Sequence, residues 1–236
     1  MRKLGIIGGL SWVSTITYYK RINTLVSKQT SPMTSAPLLI ESHNFAELFN
    51  LLEQDEFDRA GERLVESARA LEQAGAQGLL IAANSMHRLY DRIADAVNVP
   101  VLHIADAVGA RMAADGATAN AALLGTRNVM TESFFRRRLV SHGVDLLAPD
   151  MDNVETLDRI IYRELMQGKV TRDAERALKT IITRRQQDGA EAIVLACTEL
   201  EMVVDVEANV LPIYDTTRIH CEAAAEWIVD KAAVPA

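Results

Sequence analysis

Ala192-Ile193-Val194-Leu195-Ala196-Cys197-Thr198-Glu199 begins with five apolar residues and then becomes polar. A short apolar run of this kind is typical of a strand that helices cover on both faces of a parallel sheet. Similar short runs occupy residues 4–8, 37–42, 78–82, 101–103, 121–125, 144–147 and 211–214. Segments with the helical period lie between most of them, among them residues 55–74, 131–141, 154–167 and 171–188. This alternation predicts an α/β fold with mainly parallel strands and right-handed crossovers.

Three strand-like segments recur later in the chain, in the same order and at offsets of 112 to 117 residues. The pairs are Leu4-Gly5-Ile6-Ile7-Gly8-Gly9 with Ala121-Ala122-Leu123-Leu124-Gly125-Thr126, Leu79-Leu80-Ile81-Ala82-Ala83-Asn84-Ser85 with Ile193-Val194-Leu195-Ala196-Cys197-Thr198-Glu199, and Pro100-Val101-Leu102-His103 with Pro212-Ile213-Tyr214-Asp215. Buried strands use few residue types, so two unrelated α/β halves can also look alike. The preserved order favours a duplication. We therefore predict two pseudo-symmetric α/β domains, each with a four-stranded, mainly parallel sheet.

The composition excludes disordered, collagen-like and coiled-coil proteins. Hydrophobic residues make up 49% of the 236 residues and charged residues 24%, which is the balance of a globular protein. No apolar run approaches the roughly 18 residues of a membrane span, and the N terminus does not look like a signal peptide. The net charge is −7 and the basic residues are scattered, apart from Arg136-Arg137-Arg138, so we expect neither a nucleic-acid nor a membrane partner. With Cys197 and Cys221 as the two cysteines, we expect free thiols and a cytoplasmic location.

Candidate binding residues lie just after the strands, because ligands of open α/β sheets bind beyond the carboxyl ends of the strands. These segments are rich in Ser, Thr, Asn and small residues, which hold a carboxylate through neutral donors and helix N termini. They are residues 9–15, 42–45, 83–87, 126–130, 197–201 and 215–220.

Cys197 is the candidate reactive group. Thr198-Glu199-Leu200-Glu201 has the Thr-x-x-Glu form of a helix capping box, so we expect a helix to begin after Cys197 and to lower the pKa of its thiol. A buried cysteine that packs as a small apolar residue is the alternative, and it is our interpretation of Cys221, which lies beside Ala223-Ala224-Ala225.

Other motifs predict no nucleotide or metal site. Gly5-Ile6-Ile7-Gly8-Gly9 lacks the Gly-x-Gly-x-x-Gly spacing, and no phosphate-loop Gly-Lys-Ser/Thr follows it. The five histidines lie in separate segments, and no set of Cys, His or carboxylates has metal-ligand spacing. His87 and His103, which follow strands, are interpreted as structural.

With these residues assembled, the chain resembles the aspartate/glutamate racemase family over nearly its whole length. The similar segments are Gly8-Gly9-Leu10-Ser11-Trp12-Val13-Ser14-Thr15, Asn84-Ser85-Met86-His87, Leu124-Gly125-Thr126, Cys197-Thr198-Glu199-Leu200 and Asp215-Thr216-Thr217-Arg218-Ile219-His220. The resemblance implies two α/β domains, residues 1–108 with 212–236 and residues 109–211, and an active site in the cleft between them. It also implies a small amino-acid substrate, no cofactor such as pyridoxal phosphate, no metal, and a homodimer.

The chemistry of that family needs two acid/base groups on opposite faces of the substrate Cα, one from each half. The resemblance assigns Cys197 to one face and residue 83 to the other. The substrate-binding residues that it implies are Ser11, Trp12, Ser14, Thr15, Asn84, Ser85, Thr126, Thr198 and Glu199. Such donors stabilise the enolate-like charge that develops when the proton leaves.

The chain departs from the family pattern at Ala83, where the family has Cys or, in some members, Thr. Alanine has no exchangeable side-chain proton. Three explanations stay open: an engineered replacement of Cys or Thr, a natural one-cysteine variant, or another proton carrier such as Ser85 or a water. Racemisation is therefore expected to be reduced, one-sided or abolished.

Two further departures concern the side chain of the substrate. The basic residues with which some aspartate racemases hold the distal carboxylate are not evident at residues 44–46 or at Met166, and Val129 replaces a common Thr. The leading interpretation is an amino-acid racemase of the aspartate/glutamate type. The alternatives are a carboxylate-binding protein without turnover and a one-cysteine decarboxylase of the arylmalonate type.

Overall fold

The computed structural model describes residues 1–53, 56–206 and 209–230. The predicted helix start at Asp55 and the last six residues of the predicted first domain lie outside the described residues. The chain divides into two compact units. The first is Met1–His103 together with the C-terminal segment from His220, and the second is Ile104–Ile219.

The first unit contains a four-stranded sheet in the order β2-β1-β3-β4, and every neighbouring pair is parallel. Its elements are β1 (Leu4–Gly8), α1 (Trp12–Gln29), β2 (Leu38–Ser42), α2 (Phe45–Glu53), α3 (Phe57–Gln73), β3 (Gly78–Ile81), α4 (Tyr90–Ala94) and β4 (Val101–Leu102). A 3-10 helix, Ser85–Leu89, precedes α4.

The second unit contains a parallel sheet in the order β5-β6-β7. Its elements are α5 (Ile104–Ala114), β5 (Ala121–Gly125), α6 (Arg127–Thr131), α7 (Ser133–Ser141), α8 (Met151–Arg163), α9 (Arg172–Gln187), β6 (Ala192–Ala196) and β7 (Ile213–Asp215). Two 3-10 helices, Leu165–Gln167 and Leu200–Met202, follow α8 and β6. The last helix, α10 (Thr216–Val229), starts in the second unit and ends in the first.

The predicted α/β class with parallel sheets is confirmed, but the second sheet differs from the expected four strands. Among the described residues, the predicted strand at 144–147 makes only an isolated parallel bridge, between Leu146 and Ala121. Pro149 follows this bridge closely and has no N–H with which to continue a ladder. β7 pairs with β6, so the second sheet reaches Asp215 and extends past the predicted domain boundary after residue 211.

Apolar cores on both sheet faces hold the strand ends of the first unit in place. Ile7, Leu79 and Ile81 pack in one core, which includes residues of α3, while Ile6 and Leu80 pack in the other, which includes residues of α1 and α10. β1 and β3 are buried along their whole length, which explains why the sequence of each strand is a continuous apolar run.

A glycine shapes the turn after β1. Gly9 has φ of +70°, and a Cβ at this position would lie 2.2 Å from the backbone N and O of His43. Only glycine fits this close approach without strain.

Among the helices of residues 1–53, 56–206 and 209–230, none combines the length and the apolar character that a membrane span requires.

Candidate functional site

The residues that sequence analysis assigned to the site form two groups, one at the strand ends of each unit. In the first unit they follow the neighbouring strands β1 and β3. In the second unit they follow the neighbouring strands β5 and β6.

In the β1 group, Thr15 stabilises the turn, whereas Ser11 has a hydroxyl that can act as a hydrogen-bond donor. The Thr15 hydroxyl accepts a hydrogen bond from Gly9 N (2.8 Å) and donates one to Ser11 O (3.1 Å), so it holds the turn together. The Ser11 side chain is buried, and its Oγ has no hydrogen-bond partner among the described residues. Ser14 is buried as well, whereas Trp12 is 66% exposed.

The β3 group begins at Ala83, which is 7% exposed at the end of the strand. Asn84 is buried and Ser85, which starts the 3-10 helix, is half-buried. The Ala83 carbonyl accepts a hydrogen bond of 2.7 Å from Nδ1 of His87.

Thr126 and Cys197 lie side by side in the second unit. The register pairs Gly125 of β5 with Ala196 of β6, so the next residue of each strand reaches the same level. Thr126 precedes α6 as its N-cap but makes no side-chain capping bond, and its buried Oγ1 lacks a partner within residues 1–53, 56–206 and 209–230. A third such hydroxyl belongs to Thr217 after β7, which lies in the candidate segment 215–220 but was not among the substrate-binding residues that the resemblance implied.

Cys197 makes a buried pair with Glu199. The thiol donates to Glu199 Oε2 at 3.2 Å, and the Thr198 hydroxyl donates to the same oxygen at 2.6 Å. Glu199 is 4% exposed and Cys197 is 8% exposed. The Glu199 carboxylate therefore lies where it can accept the proton of the Cys197 thiol.

The expected lowering of the Cys197 pKa is wrong. Burial raises the pKa of this thiol well above its ordinary value, and the charge of Glu199 raises it further. The helix that follows is a single 3-10 turn, Leu200–Met202, and Thr198 bonds to Glu199 instead of forming the expected capping box. So short a helix has few aligned peptide dipoles to oppose desolvation.

Replacing Glu199 with Gln tests this electrostatic account. Glu199→Gln keeps the size of the side chain and removes its charge, so the pKa of Cys197 should fall. The midpoint of the pH dependence of Cys197 alkylation by iodoacetamide should therefore move to lower pH. Cys221 is fully buried and should react much more slowly. In the control, Glu201→Gln, the midpoint should stay in place, and an unchanged midpoint in Glu199→Gln would contradict the account.

Sequence analysis interpreted His87 and His103 as structural, and the structure places them together with His220. The ring centroid of His87 lies 4.5 Å from that of His103 and 5.9 Å from that of His220. In the sequence, the separation of four residues between Ala83 and His87 could have indicated that the His87 side chain reaches the carbonyl at the strand end. Within the described ranges, no group of three or more His, Cys, Asp or Glu residues could hold a metal ion.

Comparison with known proteins gives a consistent family. Residues 7–224 match the model of the Asp/Glu/hydantoin racemase family. A candidate Asp/Glu racemase from Yersinia pestis is similar to this chain, with 36% identity, a TM-score of 0.90 and coverage of 98% of this chain and 100% of that one. An aspartate racemase homologue from Pyrococcus horikoshii shares 32% identity, with a TM-score of 0.83 and coverage of 98% and 100%.

A curated relative is more distant. The broad specificity amino-acid racemase RacX of Bacillus subtilis is 24% identical over 166 residues, which are 70% of each chain. Because the family model spans most of the sequence, including both strand-end groups, the chain belongs to the Asp/Glu/hydantoin racemase family.

Proposed function

We propose that this protein is an amino-acid racemase of the aspartate/glutamate type that uses no cofactor, with Cys197 as the acid/base that exchanges the α proton. The observation that carries the proposal is the buried thiol at the end of β6, which donates to a buried carboxylate at 3.2 Å. A pair of this kind can hold or release one proton.

The reaction begins when the Cys197 proton passes to Glu199. The thiolate then removes the proton from Cα, and the electron pair left on Cα spreads into the substrate carboxylate. Donors that bind this carboxylate stabilise the transition state, because they are already in place when the charge develops. In the proposal, the Ser11 and Thr126 hydroxyls supply such donors, together with Ser14, Asn84, Ser85 and Thr198.

Thr126→Val tests whether the unpartnered hydroxyl serves a ligand. The free energy of unfolding should stay the same or rise slightly, because the hydroxyl has no partner to lose within the described residues. Binding of L-aspartate, measured by calorimetry, should weaken by about tenfold to a hundredfold, which is typical of a hydrogen bond to a charged group.

Thr216→Val is the matched control for this prediction. The Thr216 hydroxyl donates to Leu195 O at 2.8 Å, so its removal should lower the free energy of unfolding by about 1 kcal/mol. Unfolding in urea measures both variants. A clear loss of stability in Thr126→Val with unchanged binding would show that the hydroxyl is structural.

Ala83 makes the proposed reaction asymmetric. Cys197 can take a proton from the enantiomer whose Cα–H points towards it, but alanine cannot deliver a proton to the other face. Net inversion should then be slow, while hydrogen exchange in one enantiomer persists. Ser85 or a water is the remaining candidate for the second proton carrier.

Ala83 is also compatible with two other functions. A single thiol acid could protonate the enolate left by loss of CO2, as in a one-cysteine decarboxylase of the arylmalonate type. A carboxylate-binding protein could retain the donors and lack turnover.

One experiment separates the three functions. The protein is incubated in D2O with each enantiomer of aspartate, glutamate and a neutral amino acid, and with phenylmalonate, and the products are followed by proton NMR and chiral chromatography. Loss of the α-proton signal, with or without the opposite enantiomer, supports the proposal. Release of CO2 from phenylmalonate alone, or binding without exchange, would overturn it.

Homodimer formation and cytoplasmic location stay predictions. Analytical sedimentation would test homodimer formation.

A further inference from the structure

The His87 side chain donates a hydrogen bond to the carbonyl of Ala83, the residue at the expected position of the second acid/base. Its side chain is 2% exposed, and its Nδ1 lies 2.7 Å from Ala83 O. A carbonyl oxygen can only accept, so Nδ1 carries the proton and donates. In the second unit, the corresponding carbonyl of Cys197 accepts instead from a backbone group, Leu200 N, at 3.1 Å.

Aromatic neighbours fix the orientation of the His87 ring. His103 meets it edge-on at 4.5 Å between centroids, and Tyr90 lies nearly parallel to it at 6.3 Å, with an interplanar angle of 9°. A ring held between such neighbours cannot turn without displacing them. The hydrogen bond to Ala83 O is therefore built into the core.

His220 packs against His87 as a neutral imidazole, and we call His87, His103 and His220 the histidine cluster. The Tyr18 hydroxyl donates to its Nδ1 at 2.9 Å, and its Nε2 donates to Leu102 O at 3.2 Å. Burial, together with the charge of His87, lowers the pKa of His220 to about 3. His220 therefore stays neutral and keeps these two hydrogen bonds at neutral pH.

The position of the carbonyl determines where the next amide points. In a planar trans peptide, the C=O and the following N–H point in opposite directions. Since the Ala83 carbonyl points at the His87 imidazole, the N–H of Asn84 points away from the cluster.

We propose that His87 is a positioning residue, which fixes the Ala83–Asn84 peptide so that the Asn84 N–H is directed at the substrate carboxylate. This inference rests on the proposed function, because it concerns the same strand end. His87 does not touch the substrate. It sets the angle of a backbone donor and of the Cα–Cβ bond at residue 83.

Two variants of His87 separate positioning from packing. His87→Asn keeps a donor near the place of Nδ1 but loses most of the ring, whereas His87→Leu keeps more apolar volume and loses the donor. Unfolding in urea should show His87→Asn as the less stable of the two. The rate of α-proton exchange should have the opposite order, close to the parent in His87→Asn and about 10²-fold lower in His87→Leu, because small misplacements of catalytic groups have effects of this size. Equal rates in the two variants, or rates that follow stability, would overturn the inference.

A second measurement does not depend on turnover. The amide signal of Asn84 in the ¹⁵N–¹H NMR spectrum should shift when L-aspartate is added to the parent and to His87→Asn, and it should not shift in His87→Leu. A parent that shows this shift without proton exchange supports the inference and contradicts the proposed function. A parent whose Asn84 amide does not respond, although it exchanges the α proton, overturns the inference alone.

Discussion

Ala83→Cys should raise the rate of racemisation by about 10²–10⁴-fold, the usual contribution of a positioned general acid or base. The new thiol would stand at the end of β3, where the parent has a nearly buried methyl group. It would return a proton to the face of Cα that Cys197 does not serve. Ala83→Thr should raise the rate by a smaller factor, because a hydroxyl gives up its proton less readily than a thiol. Chiral chromatography of the products from each enantiomer measures the effect.

Ala82→Cys is the matched control for this gain. Ala82 is the preceding residue and packs in the opposite core of the first unit, so a thiol there cannot serve the same position. Its rate should equal that of the parent. If the parent already racemises quickly and Ala83→Cys adds nothing, the requirement for a second base at residue 83 is wrong. Ser85 or an ordered water would then be the second proton carrier to test.

Cys197→Ala should remove α-proton exchange, with a loss of at least about 10²–10⁴-fold. The thiol is the proposed proton carrier on its face, and it donates a hydrogen bond to Glu199 Oε2 at 3.2 Å. The substitution removes one atom from a small side chain, so the fold should persist, as the circular dichroism spectrum would show. Deuterium incorporation at Cα measures the loss.

Cys221→Ala is the control within the same chain. Cys221 is fully buried in the core that α10 shares with α1, and the proposed reaction does not use it. Exchange should continue in this variant even if its stability falls. Exchange that survives in Cys197→Ala would identify a different base and would leave Cys197 as a packing residue.

Much of the architecture could be predicted from local patterns. Residues 121–125 and 192–196 were predicted as strands with the bounds that the structure shows, because a strand buried on both faces leaves a continuous apolar run. The same pattern was insufficient at residues 144–147. Whether an apolar segment completes a ladder depends on its neighbours, and here Pro149 follows a single bridge.

The chemistry of the strand ends was only partly predictable. The position of Cys197 after a strand made it the candidate reactive group. The resemblance to the racemase family implied its acid/base role and marked Ala83 as the departure. The direction of the Cys197 pKa shift needed the tertiary structure, since desolvation depends on how deeply the thiol is buried and on which carboxylate lies beside it. The packing of His103 and His220 around His87 likewise joins residues that are far apart in the chain. Periodicity and spacing report on neighbours along the chain, whereas burial, charge pairing and ring packing arise only when distant segments fold together.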